Sequence, residues 1–470
     1  MRFGRSVRAA LFGSALPFAF PAVASAHGIA AKADLPIPAW LFAWAATLVL
    51  LVSFGGLAVL WRSPRLAGSG TRDLVGMGAW ADVLLGAIGV VWFSLVCWAG
   101  LTGTFVSTAN LAPTAVWVLF WVGMPVVNAI FGDVFRLLNP WRAVGRFCGW
   151  LMAKLLRDGV PTPNVWPSWL GRLPAAFGLL AIGWVELAYT GRDDPSILAA
   201  LALGYAAVQL VGMSAFGVEV WSDRADSFGV AFSLIARIAP FERTEGRLRL
   251  RAPLAGLVRM PPVGWTQLVL LVMIGVTSFD GFTQGPLWSD LSQTLSVKAK
   301  ALGFAPTGAA EAASTVGIGL ALVVVCCIWA AGVWGASKEL NRPAREVART
   351  FTHILVPIAL AYTVAHYASL LLIQGQALGY LISDPTGSGT DWFGTAQWSI
   401  DYGLITPTGV WWLQVGALLV GHIAALVLAH DRALEVADDS RTATRSQIPM
   451  LIATVAFTTL GLWLLSAASL

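Results

Sequence analysis

The sequence predicts an all-α fold: a polytopic transmembrane bundle of about ten helices that follows a cleaved signal peptide. Three observations support this prediction. Of the 470 residues, 57% are hydrophobic and only 12% are charged, whereas ordinary soluble chains carry about 25% charged residues. The apolar residues lie in blocks long enough to cross roughly 30 Å of hydrocarbon. The basic residues cluster in alternate loops between those blocks. This composition excludes a water-soluble domain.

The first 26 residues have the pattern of a secretory signal. Residues 1–8 contain three arginines, residues 9–23 form a short apolar core with two prolines, and Ala24-Ser25-Ala26 is an A-x-A cleavage site. Cleavage after Ala26 leaves His27 as the mature N-terminus. The alternative is an uncleaved first helix, which the prolines and the short core disfavour.

Residues 27–470 form a single polytopic membrane domain in this interpretation. Its ten apolar blocks are residues 39–61, 81–105, 113–136, 174–190, 195–216, 263–279, 313–336, 352–375, 406–429 and 447–467.

The loops between the blocks fix an orientation. With the mature N-terminus outside, the inner loops hold 23 of the 30 Lys and Arg residues and the outer segments hold four. This asymmetry follows the positive-inside rule. It predicts a multi-pass protein of the bacterial inner membrane whose mature N-terminus and C-terminus both lie outside. The net charge of +5 then serves orientation and contact with the lipid bilayer, not nucleic-acid binding.

Two inner loops are long enough to hold structure. Residues 137–172 mix Trp and Leu with spaced basic residues, a pattern typical of a helix lying in the membrane interface. Residues 217–262 are similar, with Arg243, Arg247, Arg249 and Arg251 between apolar positions. No internal repeat is visible, so the repeat signature of many secondary transporters is missing.

Ionisable residues inside apolar blocks cost at least ~2.5 kcal/mol on insertion scales, so each indicates a partner or a function. Glu186 lies about one turn from the outer end of the fourth block, Asp280 ends the sixth, and His366 lies in the outer half of the eighth. At 1.5 Å per residue the three have a similar depth. We therefore expect them to face one outer cavity, with Asp391 and Asp401 in a loop nearby.

Other polar residues fit structural roles better. His422 lies nearer the inner side, roughly 10 Å in depth from His366, which is too far for one metal ion. Near the inner helix ends, histidines predict headgroup or helix-end contacts, and carboxylates beside arginines predict ion-paired anchors. The histidines are His353 and His430, and the carboxylates are Asp82, Asp133 and Glu219.

The outer set predicts a site with Glu186, Asp280 and His366 as catalytic residues and with His27 and His366 as metal ligands. An N-terminal histidine chelates a metal through its amine and its imidazole. Histidine, carboxylate and an open position activate water on a divalent metal, so zinc or copper is the expected cofactor if a metal binds. The simpler alternative is that Glu186, Asp280 and His366 only satisfy one another by hydrogen bonds between packed helices.

Several stretches resemble the membrane-bound fenitrothion hydrolase family, and together they span most of the chain. They are Ala26-His27-Gly28-Ile29, Asp34-Leu35-Pro36-Ile37-Pro38-Ala39-Trp40-Leu41-Phe42-Ala43-Trp44, Phe131-Gly132-Asp133-Val134, Asn139-Pro140-Trp141-Arg142-Ala143, Arg224-Ala225-Asp226-Ser227-Phe228-Gly229-Val230 and Ser278-Phe279-Asp280-Gly281. The resemblance implies hydrolysis of an organophosphorus triester, an apolar small molecule, to a nitrophenol and a dialkyl thiophosphate. It supplies no catalytic residues.

Three functions are open at this point. The first is a membrane-embedded hydrolase with an outward-facing site. The second is a permease or proton-coupled transporter whose buried His and acidic residues relay protons or bind a substrate. The third is an accessory membrane protein that handles a metal such as copper through His27. The resemblance and the lack of a visible repeat favour the hydrolase.

Overall fold

The structure is a computed structural model that describes residues 39–156 and 162–467. The predicted signal peptide and His27 lie outside the described residues. Within them, the helices of the first half are α1 Ala39–Leu60, α2 Ala79–Thr102, α3 Leu111–Pro113, α4 Met124–Phe131, α5 Val134–Leu138, α6 Pro140–Leu155, α7 Leu173–Leu187, α8 Pro195–Phe216, α9 Val218–Arg224 and α10 Ser227–Ala236. A stretch of wide, π-helical turns, Thr114–Gly123, joins α3 to α4.

The second half continues the helical bundle. Its helices are α11 Ala255–Val258, α12 Thr266–Thr283, α13 Pro286–Ala301, α14 Pro306–Glu339, α15 Ala344–Phe351, α16 Leu355–Gln374, α17 Leu378–Leu381, α18 Pro407–Val436 and α19 Ser440–Ala467. Short 3-10 turns are Ser107–Ala109, Thr352–Ile354 and Gly375–Ala377. The strands are β1 Thr71–Gly76, β2 Phe241–Thr244 and β3 Arg247–Arg251.

Eight helical segments in the described part of the chain are long and apolar enough to cross a membrane. They are Ala79–Thr102, Leu111–Phe131, Pro195–Phe216, Thr266–Thr283, Pro306–Glu339, Ala344–Leu381, Pro407–Val436 and Arg441–Ser466. The other two predicted spans correspond to α1, of which Trp44–Leu60 is an apolar helical stretch, and to α7, which at Leu173–Leu187 is shorter than the eight. The prediction of several membrane-length helices is confirmed, whereas the number of ten is not.

The outward faces of these helices are apolar. On α2, the exposed side chains include Trp80, Val83, Ile88 and Val91. A continuous apolar surface of this kind is unfavourable in water, and hydrocarbon around the bundle removes that penalty. The surface is therefore consistent with a multi-pass membrane protein.

The three-stranded sheet departs from the all-α prediction. Strand β3 lies between β1 and β2 and pairs antiparallel with both. The arginines that suggested a second interfacial helix in 217–262 stand on strands: Arg243 on β2 and the other three on β3. The every-other-residue spacing of the three arginines on β3 is a strand period, not a helix period. Glu245 and Gly246, both with positive φ, form the tight turn between β2 and β3.

The remaining inner segments agree better with the sequence. The amphipathic helix expected in 137–172 is α6, which exposes Phe147 and Trp150. Asp82 pairs with Arg243 at 2.8 Å, and Glu219 pairs with Arg136 and Arg142, so these two ion-paired anchors are confirmed. Asp133 instead caps α5 by accepting a hydrogen bond from the Arg136 backbone.

The predicted inner loops meet at one end of the bundle. β1 of the first pairs with β3 of the third, and Arg342 Nη2 donates to the Val436 carbonyl oxygen at 2.9 Å. At the other end, Leu111 N donates to the Pro385 carbonyl oxygen. We call these ends inner and outer, after the charge prediction.

Small residues bring the central helices close together. At Gly183 of α7 an added Cβ would lie 2.7 Å from the Val276 side chain of α12. Helix α16 packs against both α12 and α18, and none of its residues is exposed. The outer ends of α7, α12 and α16 therefore converge around one polar cluster.

Candidate functional site

A carboxylate–imidazole pair lies where α12 meets α16. Asp280, in the last two turns of α12, is fully buried, and its Oδ2 lies 2.9 Å from Nε2 of His366. The imidazole keeps 17% of its surface exposed. When Asp280 is ionised it only accepts hydrogen bonds, and in that state the Nε2 proton of His366 points to Asp280. The other ring nitrogen, Nδ1, is then an acceptor.

The free nitrogen of His366 faces a small cavity. Nδ1 lies 3.7 Å from the position that a Cβ at Gly281 would occupy, and both residues line the cavity. Its volume is about 20 Å³, enough for a water molecule and far below the ~300 Å³ of a typical pocket for an organic ligand. The wall is otherwise mostly apolar and is completed by Thr277, Tyr362, Ala365, Leu418, Gly461, Leu464 and Leu465.

A second carboxyl group joins the pair through a tyrosine. The Tyr367 hydroxyl donates to Oε1 of Glu186 at 3.1 Å and is also hydrogen-bonded to the Asp280 carboxyl group. The rings of His366 and Tyr367 are 4.7 Å apart. Glu186, Tyr367, Asp280 and His366 therefore form one continuous chain of polar groups, which we call the outer relay.

The loop after α7 covers the outer relay. Arg192 Nη1 donates to the backbone oxygen of Glu186 at 3.0 Å, and Trp117 Nε1 donates to the backbone oxygen of Arg192. The Arg192 side chain remains 29% exposed. A partly exposed guanidinium thus contacts the backbone of Glu186, the first member of the outer relay.

The structure brings together all three predicted catalytic residues, Glu186, Asp280 and His366. The nearby loop acids stay in their own loop: Asp391 accepts from the Ala396 backbone and Asp401 from the Gly403 backbone.

The metal prediction has a different outcome. Over residues 39–156 and 162–467, no group of three or more His, Cys, Asp or Glu side chains is arranged to hold a metal ion. A metal on His366 would therefore need His27, which lies outside this part of the chain, and zinc or copper stays a prediction.

Tyr367 is the member of the outer relay that the sequence did not indicate. Tyr367 follows His366 in the chain and lies about 100° around the helix from it, so the position of His366 does not predict where Tyr367 points. Only the approach of α7 brings Glu186 to it.

No family model matches the chain, and neither a curated protein nor a solved structure is similar to it. The resemblance to the fenitrothion hydrolases therefore stays a prediction, and the function rests on the geometry of the site.

Proposed function

We propose that the chain is a proton-coupled membrane transport protein that binds its driving proton in the outer relay. The observation that carries this proposal is the Tyr367 hydroxyl hydrogen-bonded to two carboxyl groups, that of the half-buried Glu186 and that of the fully buried Asp280, which holds His366 beside a water-sized cavity. Chains of acids and histidines inside the membrane are the usual sites of proton relays.

The relay passes a proton without moving heavy atoms. A proton from a cavity water binds Nδ1 of His366, and the imidazolium releases its Nε2 proton to Oδ2 of Asp280. Protonated Asp280 then donates to the Tyr367 oxygen while Tyr367 gives its own hydrogen to Glu186. One proton enters at His366, one arrives at Glu186, and each step crosses a hydrogen bond present in the fold.

A membrane-embedded hydrolase is the second candidate, and one observation favours it. Asp280 orients His366 so that Nδ1 faces a cavity that fits one water molecule. A carboxylate-oriented imidazole beside a water molecule is the arrangement of a general base. A triester would require this cavity to expand more than tenfold to reach an ordinary ligand volume, so proton transfer fits the geometry better.

Purified protein in liposomes tests both functions. A pH-sensitive dye inside the vesicles reports proton entry under a potassium diffusion potential. We expect wild-type protein to carry protons and Asp280→Asn to lose at least tenfold in rate. Glu311→Gln, which changes an exposed carboxyl group bonded to Thr190 at the outer end, is the matched control and should keep the rate.

The same preparation is assayed for nitrophenol release from fenitrothion. Nitrophenol release without proton movement would replace the transport proposal by the hydrolase. Proton movement without nitrophenol release would exclude fenitrothion as its substrate.

A further inference from the structure

Helix α2 carries an exposed tryptophan near each of its ends. Trp80 is 65% exposed and Trp98 is 43% exposed, and α2 is long and apolar enough to cross a membrane. The two residues are 18 positions apart in the chain, which is about five turns and roughly 27 Å along the helix axis. They therefore lie on one face of α2, at nearly the spacing of the two boundaries of a hydrocarbon layer about 30 Å thick.

The surface between the two tryptophans suits hydrocarbon. Its exposed side chains include Leu84, Ile88 and Val91. Tryptophan is enriched at both membrane–water boundaries, because its ring is apolar on its faces and carries a polar N–H. Trp80 and Trp98 thus mark the inner and outer boundaries on this side of the bundle.

A loop distant in the chain contacts the outer boundary tryptophan. Residues 382–406, which we call the outer loop, join α17 to α18. Trp392 of this loop stacks on Trp98, with ring centroids 5.9 Å apart and an angle of 14° between the ring planes. The Thr104 backbone, just beyond α2, donates to the Thr386 carbonyl oxygen at 2.8 Å. The outer loop therefore lies beside the outer end of α2, at the depth of Trp98.

The stacked tryptophans belong to a group of exposed apolar side chains, which we call the outer patch. Its members are Trp98, Leu101, Phe105, Val106 and Trp392. Phe105 is 76% exposed and Trp392 is 50% exposed. An exposed apolar patch of this kind is unfavourable in water and marks a surface that another apolar phase covers. Because Trp98 and Leu101 continue the apolar side of α2, the phase that covers α2 also reaches the outer patch.

The outer loop pairs its polar groups internally. Asp384 accepts hydrogen bonds from the backbone of Ser388 and Gly389, at 3.0 and 2.7 Å. The Trp392 backbone donates to the Ser383 carbonyl oxygen at 3.0 Å. Irregular backbone is excluded from hydrocarbon unless its polar groups are satisfied. A loop that is paired internally can rest at the edge of the hydrocarbon, where headgroups and water satisfy the groups that remain.

We infer that the outer patch binds phospholipid and holds the outer loop at the boundary between the acyl chains and the headgroups. The spacing of Trp80 and Trp98 sets this depth, and the stacking on Trp98 extends it to Trp392. The outer loop contains three aspartates and no Lys, Arg or His, so apolar contact drives the binding and no anionic headgroup is needed. No residue of the outer relay takes part, so this inference is independent of the proposed function.

Spin labels measure the depth of the outer patch in vesicles of phosphatidylcholine. Phe105→Cys is labelled, and the relaxation of the label by oxygen, which concentrates in hydrocarbon, is divided by its relaxation by a water-soluble nickel chelate. Labels at Val91→Cys and Asp438→Cys give the lipid and water references, because Val91 lies between the boundary tryptophans and Asp438 is exposed beyond the end of α18. All three variants have alanine in place of the less buried native cysteines, Cys148, Cys326 and Cys327.

We expect the ratio at position 105 to lie between the two references and several-fold above the ratio at position 438. A ratio equal to either reference would overturn the inference, because the patch would lie in water or in the middle of the hydrocarbon. A label that is shielded from both reagents would also overturn it, because a protein would then cover the patch.

Photo-crosslinking of the wild-type protein makes the test independent of folding in the variants. One phosphatidylcholine carries a diazirine next to the glycerol and labels the boundary, and a second carries it at the end of the acyl chain and labels the middle of the bilayer. Adducts are located by mass spectrometry. We expect Phe105 and Trp392 to carry several-fold more adducts from the first lipid than from the second, and Val91 to show the reverse. Adducts at Val91 with none at Phe105 or Trp392 would overturn the inference.

Discussion

Gly421 of α18 and Pro357 of α16 approach so closely that a Cβ at position 421 would lie 2.7 Å from the Pro357 carbonyl oxygen. The same Cβ would collide with the Ala361 methyl group. This contact sets the spacing of the two helices whose seam contains Tyr362 and His422. A side chain at 421 must therefore push the helices apart.

We expect Gly421→Ala to destabilise the protein by about 1–3 kcal/mol, the usual cost of overpacking. Thermal unfolding in detergent measures the effect. Gly416→Ala on the same helix is the control, because nothing lies within 4 Å of its added Cβ. Equal melting temperatures for the two variants would contradict the close approach of α16 and α18.

Removing the hydroxyl of Tyr367 should break the hydrogen-bonded link between Glu186 and Asp280, while the phenyl ring still fills the space between them. In Tyr367→Phe, Asp280 keeps His366 but loses its link to Glu186. We expect the liposome proton rate to fall about tenfold with little change in expression, if one relay bond worth ~1.4 kcal/mol is lost. Tyr380→Phe removes a hydroxyl that donates to the Thr108 carbonyl oxygen at the outer end and should leave the rate intact. A Tyr367→Phe rate within twofold of wild type would remove Tyr367 from the relay.

A different buried carboxylate should matter for stability alone. Asp226 is fully buried and accepts hydrogen bonds from the side chains of Asn139, Trp141 and Tyr205, and from the Gly229 backbone. Asp226→Ala leaves these donors without an acceptor, at roughly 1–3 kcal/mol for each one that stays buried and unpaired.

We expect Asp226→Ala to lower the melting temperature more than any other single-carboxylate variant of the described residues. Asp439→Ala, which alters an exposed helix cap, provides the comparison. A melting temperature like that of Asp439→Ala would mean that the donors find water or other partners.

The sheet at the inner end should loosen in acid. The hydrogen bond from Arg249, at 2.8 Å, lowers the pKa of Asp73. A carboxyl group whose pKa is lower in the folded chain stabilises it above the unfolded pKa of about 3.9, and this contribution is lost as pH falls through the folded value. The protection factors of the β1 amides, which are the intrinsic exchange rates divided by the observed ones, should therefore fall as the pH drops below 4. Asp73→Asn should remove this pH dependence of the protection factors. If the dependence is unchanged in Asp73→Asn, another group causes it.

The sequence was informative where composition or charge decides the outcome. Long apolar runs predicted membrane-length helices, and counting depth along them placed Glu186, Asp280 and His366 at one level. The sequence was not informative where a feature depends on contacts between residues that are far apart in the chain. Tyr367 joins the site only because α7 meets α16, a contact between residues 181 positions apart. The strand period of Arg247, Arg249 and Arg251 was visible, but their partner strand comes from the first inner loop.

That distant partner has a consequence for the order of biosynthesis. Strand β1 is complete at Gly76, whereas its partner β3 ends at Arg251. At 5–20 residues per second, translation reaches β3 roughly 9–35 s after β1. During that interval β1 is an unpaired edge, of the kind that recruits other chains. The adjacent charges of Arg72 and Asp73 discourage such pairing. They therefore protect the nascent chain from aggregation until β3 has been synthesised.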